Sequence, residues 1–207
     1  PNLNDINLLT NFEYFKNMIM PSLINAEINK KLLKTAPYRV LHDLAITYRI
    51  VLSFDKNGTK SALITKPFMD AMGVSEDDLY EAAKENLAKA EKTCLSVTEV
   101  CAPFLSSTIR ESIDGFLNVI AVKDYYYGAS VILDSKTLTK IYKKIGAFTL
   151  IPSSVSEFLI APTVLQADGV NSMITEVNKT LKPTKVLSDH AYAVVGSTEG
   201  LRIISID

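Results

Sequence analysis

Between Leu44 and Phe54 every second residue is large and apolar: Leu44, Ile46, Tyr48, Ile50, Leu52 and Phe54 alternate with Ala45, Thr47, Arg49, Val51 and Ser53. A period of two belongs to a β-strand, whose successive side chains point to opposite faces. Asp55-Lys56-Asn57-Gly58 follows at once and supplies residues that tolerate positive φ at low cost. The chain is therefore predicted to reverse there and return as a strand over Thr59–Thr65. A strand that turns back on itself this tightly pairs antiparallel.

Other stretches add to this hairpin. Leu95–Val100, Phe116–Val122 and Ala129–Leu133 read as strands, and Phe148–Ile151 and Phe158–Ala161 flank Pro152-Ser153-Ser154. Val186–Val195 and Leu201–Ile206 form a second hairpin around Gly196-Ser197-Thr198-Glu199-Gly200. Helical spacing is clearest after Ser75. Ser75 and Asp78 have the spacing of a capping box, and Leu79, Ala82, Ala83, Leu87 and Ala90 form one stripe, with Glu85 and Lys89 as an i,i+4 pair on the wet side. Ser135–Ile145 repeats the pattern with Leu138, Ile141, Tyr142 and Ile145, closed by Gly146. A third helix is predicted over Gly169–Leu181, with Met173, Ile174, Val177 and Leu181 inward. Short helices are expected before Pro21, over Asn25–Lys34 and over Pro67–Met72. Hairpins outnumber strand–helix–strand alternation, so the expected class is α+β: a mixed, largely antiparallel sheet with about three to five helices packed on it. A doubly wound parallel sheet is the alternative. No repeat or linker divides the chain, and residues 1–207 read as a single domain.

Composition limits the function. Lys and Arg number 22 against 23 Asp and Glu, a net charge of −1 that leaves no basic footprint for nucleic acid. With 47% apolar residues the chain folds, yet no apolar run approaches the roughly 18 residues of a membrane helix. The two cysteines, Cys94 and Cys101, cannot form a disulfide framework and lean toward a reducing cytoplasm. The chain begins Pro1-Asn2 and its first methionine is Met18, so it is expected to be the C-terminal part of a longer protein.

Histidine occurs twice, in His42-Asp43 and Asp189-His190. Brought together, these could form an acid–base or metal site, since both chemistries use these residue types. Adjacent residues of a strand face opposite ways, however, and no HExxH, CxxC or HxH spacing occurs. No metal or cofactor is expected. Ser153 and Ser154 with Glu157 form a hydroxyl cluster that would need an imidazole, His190 or His42, to become a nucleophile; the GxSxG elbow is absent. As a turn, Pro-Ser-Ser satisfies local backbone groups instead. Tyr125-Tyr126-Tyr127-Gly128 could stack a ring but reads better as a strand junction. Lys136, Lys140, Lys143 and Lys144 make a modest basic face, the usual appearance of a solvated helix.

Taken in order, Leu23-Ile24-Asn25, Asn29-Lys30-Lys31-Leu32-Leu33, Ala36-Pro37-Tyr38, Asp43-Leu44-Ala45, Leu79-Tyr80-Glu81-Ala82-Ala83-Lys84-Glu85-Asn86, Gly128-Ala129, Ile132-Leu133, Ile151-Pro152-Ser153-Ser154, Glu157, Glu176-Val177-Asn178 and Val186-Leu187-Ser188-Asp189 with Tyr192 resemble an uncharacterised domain-of-unknown-function family (5688) of gut-associated Firmicutes. The resemblance spans about residues 20–195. It implies no activity, and it implies longer members with sequence upstream. Members tend to carry His or another polar residue before the Glu matching Glu157; Ser156 stands there here, which weakens a His–Glu site. If a site exists, its residues are Asp43, Asn86, Ser153, Ser154, Glu157, Asn178 and Asp189, with His190. The expected function is a cytoplasmic binding or interaction domain without catalysis, its partner a protein or an upstream segment of its own chain rather than nucleic acid or membrane. The alternative is a metal-independent hydrolase using Ser153 or Ser154 with His190 and an acid.

Overall fold

The computed structural model describes residues 10–55, 58–101 and 117–207. The chain packs into two compact units, the first Pro1–Ala90 with Asp124–Tyr126, the second Glu91–Lys123 with Tyr127–Asp207. Each contains its own sheet. Every strand pairing among the described residues is antiparallel, and helices and strands mix, so the class is α+β as expected.

The first sheet is built on the predicted hairpin. Strand β3 (Leu44–Asp55) pairs along one side with β1 (Ile19–Asn25) and along the other with β2 (Tyr38–Leu41) and then β4 (Gly58–Leu63). Gly58 has φ +114°, the turn geometry its position required. Lys56 and Asn57 lie outside the described residues. The alternation is only half right, because Leu44, Ile46, Tyr48 and Ile50 are buried but so are Ala45 and Thr47, whereas Leu52 is exposed. Both faces of this part of β3 are covered, and the buried Ser22 and Thr47 hydroxyls on neighbouring strands bond each other at 2.8 Å.

Pro21 does not end a helix. It sits inside β1 opposite Tyr48, whose carbonyl turns away to accept the Ile64 amide at 2.9 Å, so no ladder bond is asked of the proline nitrogen there. Ahead of β1 come helix α1 (Phe12–Phe15) and a 3-10 turn, Lys16–Met18. Helices α2 (Lys30–Leu33) and α3 (Lys66–Ala71) are short. Helix α4 (Glu76–Lys89) starts on the predicted capping box: Ser75 Oγ accepts the Asp78 amide at 3.2 Å, and Asp78 Oδ2 accepts the Ser75 amide at 2.8 Å. Its buried stripe is Leu79, Ala82, Ala83 and Leu87, turned onto β1. Glu85 and Lys89 do not pair; the ion pair on this helix is Lys84 with Glu81, at 2.8 Å.

The second sheet runs β10-β9-β7-β8-β6-β5. Strand β5 (Lys92–Ser96) starts and ends earlier than predicted, and Val97–Cys101 is helix α5. The cause is a helix start of the same kind as Ser75: Glu99 Oε2 accepts the Ser96 amide at 2.8 Å, and Ser96 Oγ accepts the Thr98 amide at 3.1 Å. Of the two cysteines only Cys94 lies in the strand, and Cys101 ends the helix. Strand β6 (Asn118–Val122) agrees with the sequence, whereas Gly128–Leu133 is a buried 3-10 helix rather than a strand. Gly128 permits this path, because a Cβ there would stand 2.3 Å from the Ser156 carbonyl oxygen. Helix α6 (Ser135–Ile145) is as predicted, with Gly146 at φ +76°. Strands β7 (Phe148–Ser154) and β8 (Glu157–Ala161) form a hairpin, as do β9 (Ala191–Ser197) and β10 (Gly200–Ile206). Helix α7 (Ala167–Asn178) buries Val170 and Ile174 against Ile151, Ala161 and Ala191. Met173 and Val177, expected inward, are 48% and 49% exposed. Seven α-helical stretches occur among the described residues against the three to five expected, and those at Phe12, Lys30 and Val97 are only four or five residues long.

Candidate functional site

Tight packing of α7 on β7 and β9 sets up a cleft in the second unit. Val170 and Ile174 point into the core, which leaves Asn171, Ser172, Thr175 and Glu176 along the rim of the same helix. Facing them are Asp189 and His190, just before β9, and Asp207, just after β10. These seven residues line an open cleft of about 460 Å³.

Asn171 holds its walls together. Its amide nitrogen donates to the Ile206 carbonyl at 2.6 Å and its side-chain oxygen accepts the Ala191 amide at 2.9 Å, so one side chain fixes the start of β9 and the end of β10. Asn178 does the same one helical stretch later, donating to the Ser188 carbonyl at 2.9 Å and to Asp189 Oδ1 at 2.7 Å. Ser188 Oγ accepts the His190 amide at 2.9 Å and fixes the bend that presents the imidazole.

The imidazole carries the buried polar atom of the cleft that lacks a partner. His190 is 45% exposed, yet its Nδ1 is buried without a hydrogen-bond partner, 3.7 Å from Asp207 Oδ1. The three carboxylates are each engaged at one point: Glu176 with Lys179, Asp189 with Asn178, Asp207 with the Ser205 hydroxyl at 2.8 Å. A carboxylate accepts up to about four hydrogen bonds, so all three keep free acceptor capacity toward the cleft. The lining contains no Lys or Arg. Such a set of acceptors is chemically suited to a positively charged nitrogen.

The remaining sequence candidates lie elsewhere or serve the backbone. His42 and Asp43 are the two-residue turn between β2 and β3, with His42 at φ +56° and the Asp43 carbonyl accepting the Ala26 amide at 2.9 Å. They belong to the first unit and His190 to the second. Asn86 donates to the Lys16 and Ile19 carbonyls at 2.7 and 2.9 Å and ties α4 to the entry of β1. Ser153 donates to Glu157 Oε1 at 3.2 Å, and Ser154 Oγ accepts the Ser156 amide at 3.1 Å. Both hydroxyls bond within the β7–β8 turn, and no hydrogen bond joins either of them to the imidazole of His190. Tyr125 is buried, and Tyr126 is 41% exposed and donates its backbone amide to Thr59 Oγ1 at 2.9 Å. Among the described residues no group of three His, Cys, Asp or Glu is placed to hold a metal ion, and no helix is long and apolar enough to cross a membrane.

Sequence reasoning singled out His190, Asp189 and Asn178 but not Asn171, Glu176 and Asp207, which line the same cleft as His190 and Asp189. One signal was present: Asn is a poor helix interior residue, and Asn86, Asn171 and Asn178 all sit in helices where their amides clamp neighbouring backbone.

The model of a family of unknown function (DUF5688) matches residues 1–194, which takes in both units and stops before β10. Neither the curated proteins nor the solved structures contain a match to the chain.

Proposed function

The chain belongs to this family of unknown function, and from that premise we propose that it is a cytoplasmic binding domain without catalysis, whose cleft at His190 takes a basic side chain of a partner protein. The observation that carries this reading is the lining itself: three carboxylates with spare acceptor capacity and one imidazole whose Nδ1 has no partner, with no cation among them. A guanidinium or ammonium offers several donors and no acceptor, which matches that set. The wide mouth and the half-exposed imidazole suit recognition, whereas a hydroxyl nucleophile would need its base within about 3.2 Å.

Calorimetric titration of the full chain with a short Arg-rich peptide tests this. Binding is expected, weakened about tenfold in Glu176→Gln/Asp189→Asn, consistent with two lost charge-assisted bonds, and unchanged in Ser153→Ala. Absence of binding would overturn the reading. So would turnover of an ester substrate that Ser153→Ala, Ser154→Ala or His190→Ala abolishes.

A further inference from the structure

Helix α6 is the second unusual surface of this unit. Its sequence, Ser135 to Ile145, contains four lysines and no acid. Elsewhere Lys30, Lys84, Lys92, Lys123 and Lys179 each meet a carboxylate, and lysines without one among the described residues, such as Lys16, Lys89 and Lys182, are scattered rather than gathered four to a short helix. The ammonium groups of Lys136, Lys140, Lys143 and Lys144 meet none among the described residues, and all four lysines are exposed. Lys136, Lys140 and Lys143, with Ser135 and Thr139 between them, line a groove of about 350 Å³. Positions i, i+4 and i+7 fall on one helical face, so the three charges form a row about 10 Å long.

We propose that this row is a docking surface for an acidic protein segment, one that lays Asp or Glu side chains along the three lysines. Charge complementarity supports the choice: an uncompensated row of ammonium groups interleaved with hydroxyl donors matches carboxylates in series. A lipid surface fits less well. A membrane-binding helix keeps its apolar side free to enter the bilayer, whereas α6 spends its own inward: Leu138 is buried, and Tyr142 packs on Gly196, where a Cβ would stand 2.6 Å from the tyrosine hydroxyl. Nucleic acid fits less well too, since the chain as a whole carries −1 rather than a strongly basic charge.

The test is fluorescence anisotropy of a labelled peptide of alternating Glu and Ala, titrated with the full chain at low and high salt. Expected is binding that salt weakens and that Lys136→Gln/Lys140→Gln/Lys143→Gln weakens about tenfold, the sum of three exposed charge pairs. The triple Lys→Arg variant retains it, and circular dichroism shows both variants folded. Equal binding by the Lys→Gln variant overturns the proposal. So does tighter binding, through the same lysines, of a single-stranded oligonucleotide or of vesicles rich in phosphatidylserine. Self-association of the chain that the Lys→Gln variant abolishes would likewise overturn it, placing the acidic cleft of a second copy on this helix instead.

Discussion

Two regions of the molecule, one in each unit, treat buried polar groups in opposite ways: the Glu76 network and the His190 cleft. In the first, the Tyr48 side chain is fully buried beneath α4, and its hydroxyl donates to Glu76 at the helix start. Arg39 reaches the same carboxylate with its Nε at 2.8 and 2.9 Å, extends to Asp77, and lies 3.9 Å over the Tyr80 ring. Burial, helped by the negative Glu76, pushes the Tyr48 phenol well above its ordinary range, and the hydrogen bond to Glu76 raises Arg39 in turn. The Tyr48 hydroxyl and the Arg39 Nε and Nη2 each have a carboxylate acceptor there. In the second unit the His190 Nδ1 is buried and has no hydrogen-bond partner. A closed network stabilises a fold, whereas an unsatisfied group beside a cleft is what a ligand or a proton can complete.

Breaking the closed network gives the largest effect. Glu76→Ala strips the acceptor from a buried phenol and a half-buried guanidinium together and is expected to cost about 3 kcal/mol, read as a lower urea midpoint at unchanged slope. Tyr48→Phe in the Glu76→Ala background then costs far less than in the wild type, because its partner is already gone. Since we read residues 1–207 as one domain, hydrogen exchange should accelerate by the same factor at β1 in the first unit and at β7 in the second. Acceleration confined to β1 would instead make the units separate folding domains.

The network was largely illegible in the sequence, although one of its anchors was not. Ser75 and Asp78 gave the start of α4 because a capping box is a local device whose partners are three residues apart. Glu76, one position along, looked like one more acid at the helix dipole; its true partners, Arg39 and Tyr48, come from other strands. The same distinction runs through the molecule. Hairpins and helices announced themselves by period and turn chemistry, whereas Pro21 was misread because its tolerance in β1 depends on which way the Tyr48 carbonyl points. Ser96 and Glu99 carried the same kind of start signal as Ser75, but it lay within an apolar run that read as strand. In the cleft, His190 and Asp189 stood out by residue type; Glu176 and Asp207 join them only through the packing of α7 and the β9–β10 hairpin.

An intermediate case lies inside the second unit. Asp134 at the start of α6 is 8% exposed at its side chain, and Lys92 reaches it at 3.0 Å from β5. Burial opposes its ionisation, but the Thr137 hydroxyl at 2.7 Å and the Lys92 ammonium more than offset this and hold the carboxyl below its ordinary value. A carboxyl depressed in the folded state adds stability above its unfolded pKa, near 3.9, and loses it as pH falls through the folded value. Asp134→Asn is therefore expected to cost about 2 kcal/mol at neutral pH and progressively less below about pH 4. Thermal melts across that range check it; a gap that stays constant or widens in acid would mean the pair does not hold the carboxylate ionised.

The smallest global effect, and the most informative for the cleft, is expected from Asn171→Ala. The substitution removes the bonds to Ala191 and Ile206 but also replaces a poor helix former with the best, so the net loss is about 1 kcal/mol. The consequence is local. Strand β10 is the edge of its sheet, held on one side by β9, and Asn171 is what fastens its last carbonyl to α7. Releasing it should raise amide exchange in β10 and free Asp207 from its place opposite His190, while β1 and α4 keep their protection. If the cleft draws its affinity for a basic side chain from a preorganised set of carboxylates, Asn171→Ala lowers that affinity by several-fold although Asn171 itself carries no charge. An unchanged affinity would show that Asp189 and Glu176 suffice, and would move Asp207 out of the site and into the role of a strand end. The contrast between the units then becomes sharper: one network tolerates no missing member, and the other works because a place in it is open.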